Sequence, residues 1–105
     1  MDLEISAQEV KKKFDKKEDF LLIDVRELWE NGIAHIKGSR LIPLAELGQK
    51  LKDLPKDKEI ITHCHLGHRS MQAAVFLRKN GFNSRSMKGG IDAWSLQVDK
   101  KVPRY

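Results

Sequence analysis

The sequence predicts an α/β protein with a small central parallel sheet flanked by helices on both faces. Three observations point there. Phe20-Leu21-Leu22-Ile23 and Ile60-Ile61 are apolar at consecutive positions, and a strand apolar on both sides belongs in the middle of a covered sheet rather than in a half-wet antiparallel one. Segments with helical spacing alternate with these strands, the order that parallel pairing requires. One such strand, Glu59-Ile60-Ile61-Thr62-His63, runs into the only cysteine, Cys64, and a helix follows within a few residues. That sets the thiol outside the carboxyl end of a central strand, where open α/β sheets bind ligands.

The elements follow in order. Ser6-Ala7-Gln8-Glu9 has the form of a capping box and predicts a helix to about Lys16, with Val10 and Phe14 facing the core. Phe20 to Ile23 is a strand, and Glu27 to Gly32 a short helix with a glycine stop. Leu41-Ile42 reads as a short strand ended by Pro43, a good first helical residue, and Leu44, Leu47, Leu51 and Leu54 mark a helical stripe. After Cys64, the residues Met71, Ala73, Ala74, Val75, Phe76 and Leu77 are apolar almost all round, so this helix should be largely buried before Asn80-Gly81 ends it. Phe82 to Met87 is a last strand, and Gly89-Gly90 turns the chain into a final helix around Ile91 to Val98. With no repeat, low-complexity segment or linker, residues 1–105 read as one domain.

A chain of 105 residues can bury a core without metal or disulfide staples. One cysteine excludes an intramolecular disulfide, no apolar run approaches the roughly 20 residues of a membrane span, and Met1-Asp2-Leu3-Glu4 has no signal-peptide pattern. These features predict a cytoplasmic protein that does not enter membranes. The formal net charge of +5 includes Lys11-Lys12-Lys13 and Lys16-Lys17, read as a solvated helix face whose field gathers anionic donors or an acidic carrier. Few aromatics and no basic-aromatic platform argue against nucleic-acid binding. His63, Cys64 and His65 are sequence neighbours whose side chains diverge at a strand end, so no metal is expected, and no cofactor motif occurs.

The chemistry therefore rests on Cys64. An ordinary thiol, with a pKa of about 8.5, is only a few per cent ionised at neutral pH, and half-ionisation needs about 2 kcal/mol. A helix terminus supplies roughly 0.3 to 2 kcal/mol, and each hydrogen bond to a charged acceptor about 1.5 to 3. The helix start after His68 and a loop containing Gly67 supply both kinds of donor, so a thiolate is attainable without a base. The competing reading of a lone cysteine is a small buried hydrophobe.

His63-Cys64-His65-Leu66-Gly67-His68-Arg69-Ser70 resembles the active-site loop of rhodanese-like sulfurtransferases, Cys-x-x-Gly-x-Arg followed by Ser or Thr. Leu22 to Glu27 resembles the Asp-x-Arg strand end of that family. His35-Ile36-Lys37-Gly38-Ser39 with Leu41-Ile42-Pro43 resembles its His-Ile-x-Gly-Ala segment, and Gly89-Gly90-Ile91-Asp92-Ala93-Trp94 its closing Gly-Gly-x-x-x-Trp. Leu54 to Glu59 and Val98 to Tyr105 are similar to the rhodanese domain that closes adenylyltransferase-sulfurtransferases, although the adenylating half is absent from this sequence. A stand-alone relative or an excised domain is expected.

The resemblance implies a sulfurtransferase in which Cys64 is the catalytic nucleophile and carries a persulfide. His65, Leu66, Gly67, His68 and Arg69 would bind the substrate, with backbone amides of residues 65–69 stabilising the anion. Asp24 and Arg26 would support the loop, their alternative being a surface ion pair, and His35 would fix a turn. Arg69 would face the donor's charge or brace the loop against Asp24 or a carbonyl. His65 and His68 would meet an anionic donor or stand exposed. The donor is thiosulfate or a persulfide, including one from a cysteine desulfurase, and the acceptor a sulfur-carrier protein or small thiol. His65 and Leu66 stand where thiosulfate-preferring relatives often place basic side chains. Two rivals are a non-catalytic binding or regulatory module and a phosphatase, whose loop has one residue more than the four here between cysteine and arginine.

Overall fold

Neighbouring residues of the central strands point to opposite faces and feed two cores, which is why these strands are apolar on both sides. The computed structural model describes residues 2–105. Its strands are β1 (Glu4–Ile5), β2 (Phe20–Asp24), β3 (Ser39–Leu41), β4 (Glu59–His63) and β5 (Ser84–Met87). Its helices are α1 (Ala7–Asp15), α2 (Leu28–Ile33), α3 (Leu47–Lys50), α4 (His68–Lys79) and α5 (Gly90–Gln97). All strand pairs are parallel, in the order β1-β5-β4-β2-β3. On one face Leu22, Ile61 and Met87 pack with Val10 of α1 and Ile91 and Trp94 of α5. On the other, Ile23 and Ile60 pack with Leu47, Ala73, Leu77 and the Cys64 thiol. The parallel α/β architecture with helices on both faces is therefore present.

Several boundaries differ from expectation. Strand β1 pairs Glu4 and Ile5 with Ser86 and Met87 at the sheet edge; two residues are too few to show a period. Ser6 caps α1, its Oγ accepting from the Glu9 amide at 3.1 Å. The last strand begins only at Ser84, and Ile42 lies just outside β3. Gly32 does not stop α2, which ends one residue later. The leucine stripe from Leu44 is not one helix but a 3₁₀ turn (Leu44–Glu46), α3, and a second 3₁₀ turn (Leu51–Asp53). Leu44 with Leu47 and Leu51 with Leu54 are three apart, the spacing of the tighter helix, while the four-residue step from Leu47 to Leu51 spans the α turn.

Helix α4 is not buried all round. Ser70, Ala73, Ala74 and Leu77 face inward, while Gln72, Phe76 and Lys79, on the opposite stripe, are exposed. The apolar count misled because alanines bury little area, so one face of small residues suffices to seat the helix close to the sheet.

The register aligns Asp24 with His63 across β2 and β4. Both strands thus stop at the same edge, bringing Asp24, Arg26 and Cys64 together. Helix α5 is tied to that edge: Ile91 N donates to Cys64 O at 2.8 Å and Asp92 N to His65 O at 3.2 Å. This close approach requires Gly90, with φ +62°, because an added Cβ would lie 2.5 Å from the Cys64 carbonyl oxygen.

Candidate active site

The chain leaves β4 at His63 and re-enters a helix at His68, with Gly67 at φ +111° reversing it. This reversal folds the loop over the thiol, and Cys64 is only 1% exposed. Sγ receives the Gly67 amide at 3.1 Å and the Ser70 amide at 3.4 Å. The amide from the first turn of α4 comes from Ser70, one residue beyond the expected 65–69 set. Ser70 Oγ also stands 3.4 Å from Sγ and accepts its proton.

A second layer of hydroxyls holds Ser70. Its Oγ lies 2.7 Å from Ser86 Oγ of β5, and Thr62 Oγ1 donates to its carbonyl at 2.7 Å. All three residues are fully buried. When the sulfur is ionised, Ser70 can turn its proton to the sulfur and accept from Ser86 in exchange. The sulfur thus sits among oriented dipoles in a nearly dry cradle, where such dipoles act most strongly.

Asp24 and Arg26 do not form a surface pair; both are fully buried. Arg26 donates Nε to Asp24 Oδ1 at 2.8 Å and Nη2 to Oδ2 at 2.7 Å, and its amide donates to Oδ1 at 3.0 Å. Arg26 Nη2 also reaches Ala34 O at 2.6 Å, and Asn31 Nδ2 reaches Asp24 Oδ2 at 3.1 Å. Burial would push the Asp24 carboxyl up, but Arg26 reverses this and holds it below the usual range. This pair secures the turn from β2 into α2.

Arg69 is braced by Glu30 of α2, not by Asp24. Its Nη1 and Nη2 donate to the two carboxylate oxygens at 2.6 and 2.8 Å. The Arg69 guanidinium holds the Glu30 carboxyl down at about 2, overcoming the burial that would raise it. Glu30 also accepts from Tyr105 Oη at 2.7 Å and from the Glu27 amide at 3.1 Å. Glu30 and Ser86 carry no motif, and Tyr105 lies in the Val98 to Tyr105 stretch that resembles the closing rhodanese domain but has no role assigned to it.

The remaining predicted residues lie on the rim. Leu66 is 52% exposed and His68 is exposed, while His65 is half-buried. An open depression of about 500 Å³ against the loop is lined by Leu66, Gly67, His68, Met71 and Lys88. A larger one, about 580 Å³, lies against Phe14, His35 and Trp94 and includes no residue of the Cys64 loop; size does not locate the chemistry here. His35 is exposed on that second depression, and no hydrogen bond ties it to a turn among the described residues. His63 is fully buried with neither ring nitrogen hydrogen-bonded. Burial pushes its pKa down to about 4 despite the nearby Asp24. Among the described residues no three His, Cys, Asp or Glu side chains gather as a metal site would need. No helix among them is long and apolar enough to cross a membrane.

A model of the family described as "Rhodanese-like domain" matches residues 6–97. The chain belongs to that family. Among rhodanese-like relatives, it is 36% identical over 104 residues to a probable adenylyltransferase/sulfurtransferase, MoeZ, of Mycobacterium tuberculosis, covering 96% of this chain and 26% of that protein. The chain thus spans about a quarter of that relative's length. It is 35% identical over 98 residues to the putative sulfurtransferase YtwF of Bacillus subtilis, covering 93% of this chain and 95% of YtwF. The crystal structure of a rhodanese-related protein from Thermoplasma volcanium superposes with a TM-score of 0.82 at 33% identity, covering 90% of this chain and 92% of that one.

Proposed function

We propose that this rhodanese-like domain is a sulfurtransferase that carries sulfane sulfur as a persulfide on Cys64. Family membership supports sulfur transfer as the reaction class. The observation that carries the reading to Cys64 is the convergence of the Gly67 and Ser70 amides on its Sγ, at 3.1 and 3.4 Å.

In the first step the Cys64 thiolate attacks the outer sulfur of a donor R–S–SH. The Sγ–S bond forms, the donor's S–S bond breaks, and R–S⁻ leaves with its electron pair. In the second, an acceptor nucleophile bonds to that outer sulfur and Cys64 departs as the thiolate. With thiosulfate the same attack expels sulfite. Gly67 and Ser70 stabilise sulfur anions at both stages, while Asp24, Arg26, Glu30 and Arg69 hold the loop. No cofactor or metal enters the cycle. Because Glu30 engages both arms of Arg69, the rim offers His65, Leu66 and His68 to the donor, with Lys88 the cation on the adjoining depression, so thiosulfate and a persulfide are both donors of this reading. A cysteine desulfurase as source and a sulfur-carrier protein or small thiol as acceptor fit this chemistry, in a reducing cytoplasm.

Intact-mass spectrometry tests the reading. After incubation with thiosulfate or glutathione persulfide, the chain should gain one sulfur, lose it to cyanide, and gain none as Cys64→Ser. A chain left unmodified by every donor would instead support a non-catalytic binding module, and Cys64-dependent cleavage of a phosphate ester would support a phosphatase.

A further inference from the structure

Tyr105 reaches the site from the segment that follows α5. Ser95 Oγ donates to Val102 O at 2.6 Å and Arg104 pairs with Asp92 at 2.7 Å, so this segment is fastened to the helix whose first turn holds the carbonyls of Cys64 and His65. The Tyr105 ring lies flat on the imidazole of His65, with centroids 4.1 Å apart and planes within 10°. Its hydroxyl accepts from Arg26 Nη1 at 2.8 Å and donates to Glu30 Oε2 at 2.7 Å. The ring also packs edge-to-face with Trp29, the centroids 6.4 Å apart. One side chain therefore touches the residue after the nucleophile and two of the four charged side chains that hold the loop.

We infer that Tyr105 is a positioning residue of the sulfur site, holding the His65 imidazole in one orientation and so fixing the residue next to Cys64 for attack on the donor's outer sulfur. The inference rests on the sulfur-transfer reading. His65 directly follows Cys64 and is half-buried against the Tyr105 ring, and without that stacking partner its side chain is released to other rotamers. The ring does this work and the hydroxyl anchors the ring: its proton goes to Glu30 and a lone pair takes Arg26, so the phenol is fully paired. Phenylalanine keeps the stack and loses the anchor; leucine loses both.

The test uses the full chain, glutathione persulfide as donor, and rapid-quench intact-mass measurement of sulfur uptake at saturating donor. Tyr105→Leu should lower the maximal rate about tenfold, the loss expected when reacting atoms are misplaced by a fraction of an ångström, while uptake still ends at one cyanide-removable sulfur. Tyr105→Phe should restore the rate to within about threefold and keep the upfield ring-current shift of the His65 ring protons that the leucine variant loses. In a His65→Ala background, Tyr105→Leu should cost no further rate. If Tyr105→Leu does not fold, Tyr105→Phe must still show the ring-current shift and near-native rate. A folded Tyr105→Leu chain sulfurated at the wild-type maximal rate overturns the inference, as does a Phe variant as slow as Leu. A wild-type chain that takes no sulfur from any donor overturns the sulfur-transfer reading itself.

Discussion

Replacing Glu30 by glutamine separates the charge of the Arg69 brace from its shape. In the folded chain the Glu30 carboxyl titrates at about 2, against an ordinary value of 4.5, chiefly because Arg69 donates to both its oxygens. A folded-state value below the unfolded one means that the unfolded chain binds the extra proton between those limits. The stabilisation is thus fully present above about pH 4.5 and is lost as pH falls toward 2. The depression corresponds to about 3 kcal/mol at neutral pH. Glu30 is 4% exposed and Arg69 35%, so solvent screens part of the pair and about 2 to 3 kcal/mol is expected. Urea unfolding of wild type and Glu30→Gln at pH 7 should show a gap of that size. At pH 3.5 the gap should shrink by about 1 kcal/mol, because wild type is then surrendering the contribution that the variant never had. Every other titrating group is common to both chains and cancels. A gap below about 0.5 kcal/mol at pH 7, or one equal at both pH values, would refute the reasoning.

Three further perturbations probe the layers around the sulfur. Removing the Ser70 hydroxyl (Ser70→Ala) should slow sulfur uptake from glutathione persulfide at pH 7 by about tenfold, the loss expected from one hydrogen bond to a charged acceptor; Ser86→Ala should slow it less, and unchanged uptake in both would remove the hydroxyls from the site chemistry. Gly90→Ala should cost about 3 kcal/mol or more in denaturant unfolding, since its Cβ would collide with the Cys64 and His65 carbonyls at a left-handed φ; near-native stability there would contradict the packing of α5 on the loop. His63 titrates in the folded chain at about 4, below its usual 6.5, so the unfolded chain protonates first and stability falls as pH drops through that interval. The loss between pH 7 and pH 5 should be smaller by about 1 to 2 kcal/mol in His63→Gln, and equal losses would show that His63 is not the group responsible.

What could be read from the residues was local. Cys64 at the end of β4, the reversing Gly67 and the start of α4 are contiguous, so strand pattern, glycine and helix propensity point to one cradle without knowledge of the rest. The same holds for Asp24 and Arg26, two residues apart and bonded to each other. The partner of Arg69 was not legible because Glu30 lies 39 positions away, and Tyr105 meets Glu30 across 75. Such contacts depend on which strand ends share an edge of the sheet, and that order, with β4 between β2 and β5, is set by the packing of all four strand connections together. The family resemblance supplied the loop motif, and the brace expected for Arg69, Asp24 or a carbonyl, is replaced by Glu30 of α2 because both oxygens of Asp24 are taken by Arg26.

The arrangement also explains how a thiol only 1% exposed can serve a transfer reaction. The charges nearest the loop cancel in pairs, Asp24 with Arg26 and Glu30 with Arg69, so the loop is stiffened without placing a free charge beside the sulfur. What faces Sγ directly is neutral: two amides and a hydroxyl, already oriented, which gain strength from exclusion of water and need no reorganisation as charge arrives. In the proposed persulfide the reactive atom lies one bond beyond Sγ, and the side chains around the loop that can meet its partner are those of His65, Leu66 and His68. On that proposal burial shields the resting thiol, and the atom to be transferred is the one added to it. Exposure of the resting thiol is therefore a poor guide to reactivity in this cradle, and the donors aimed at the sulfur are the better one.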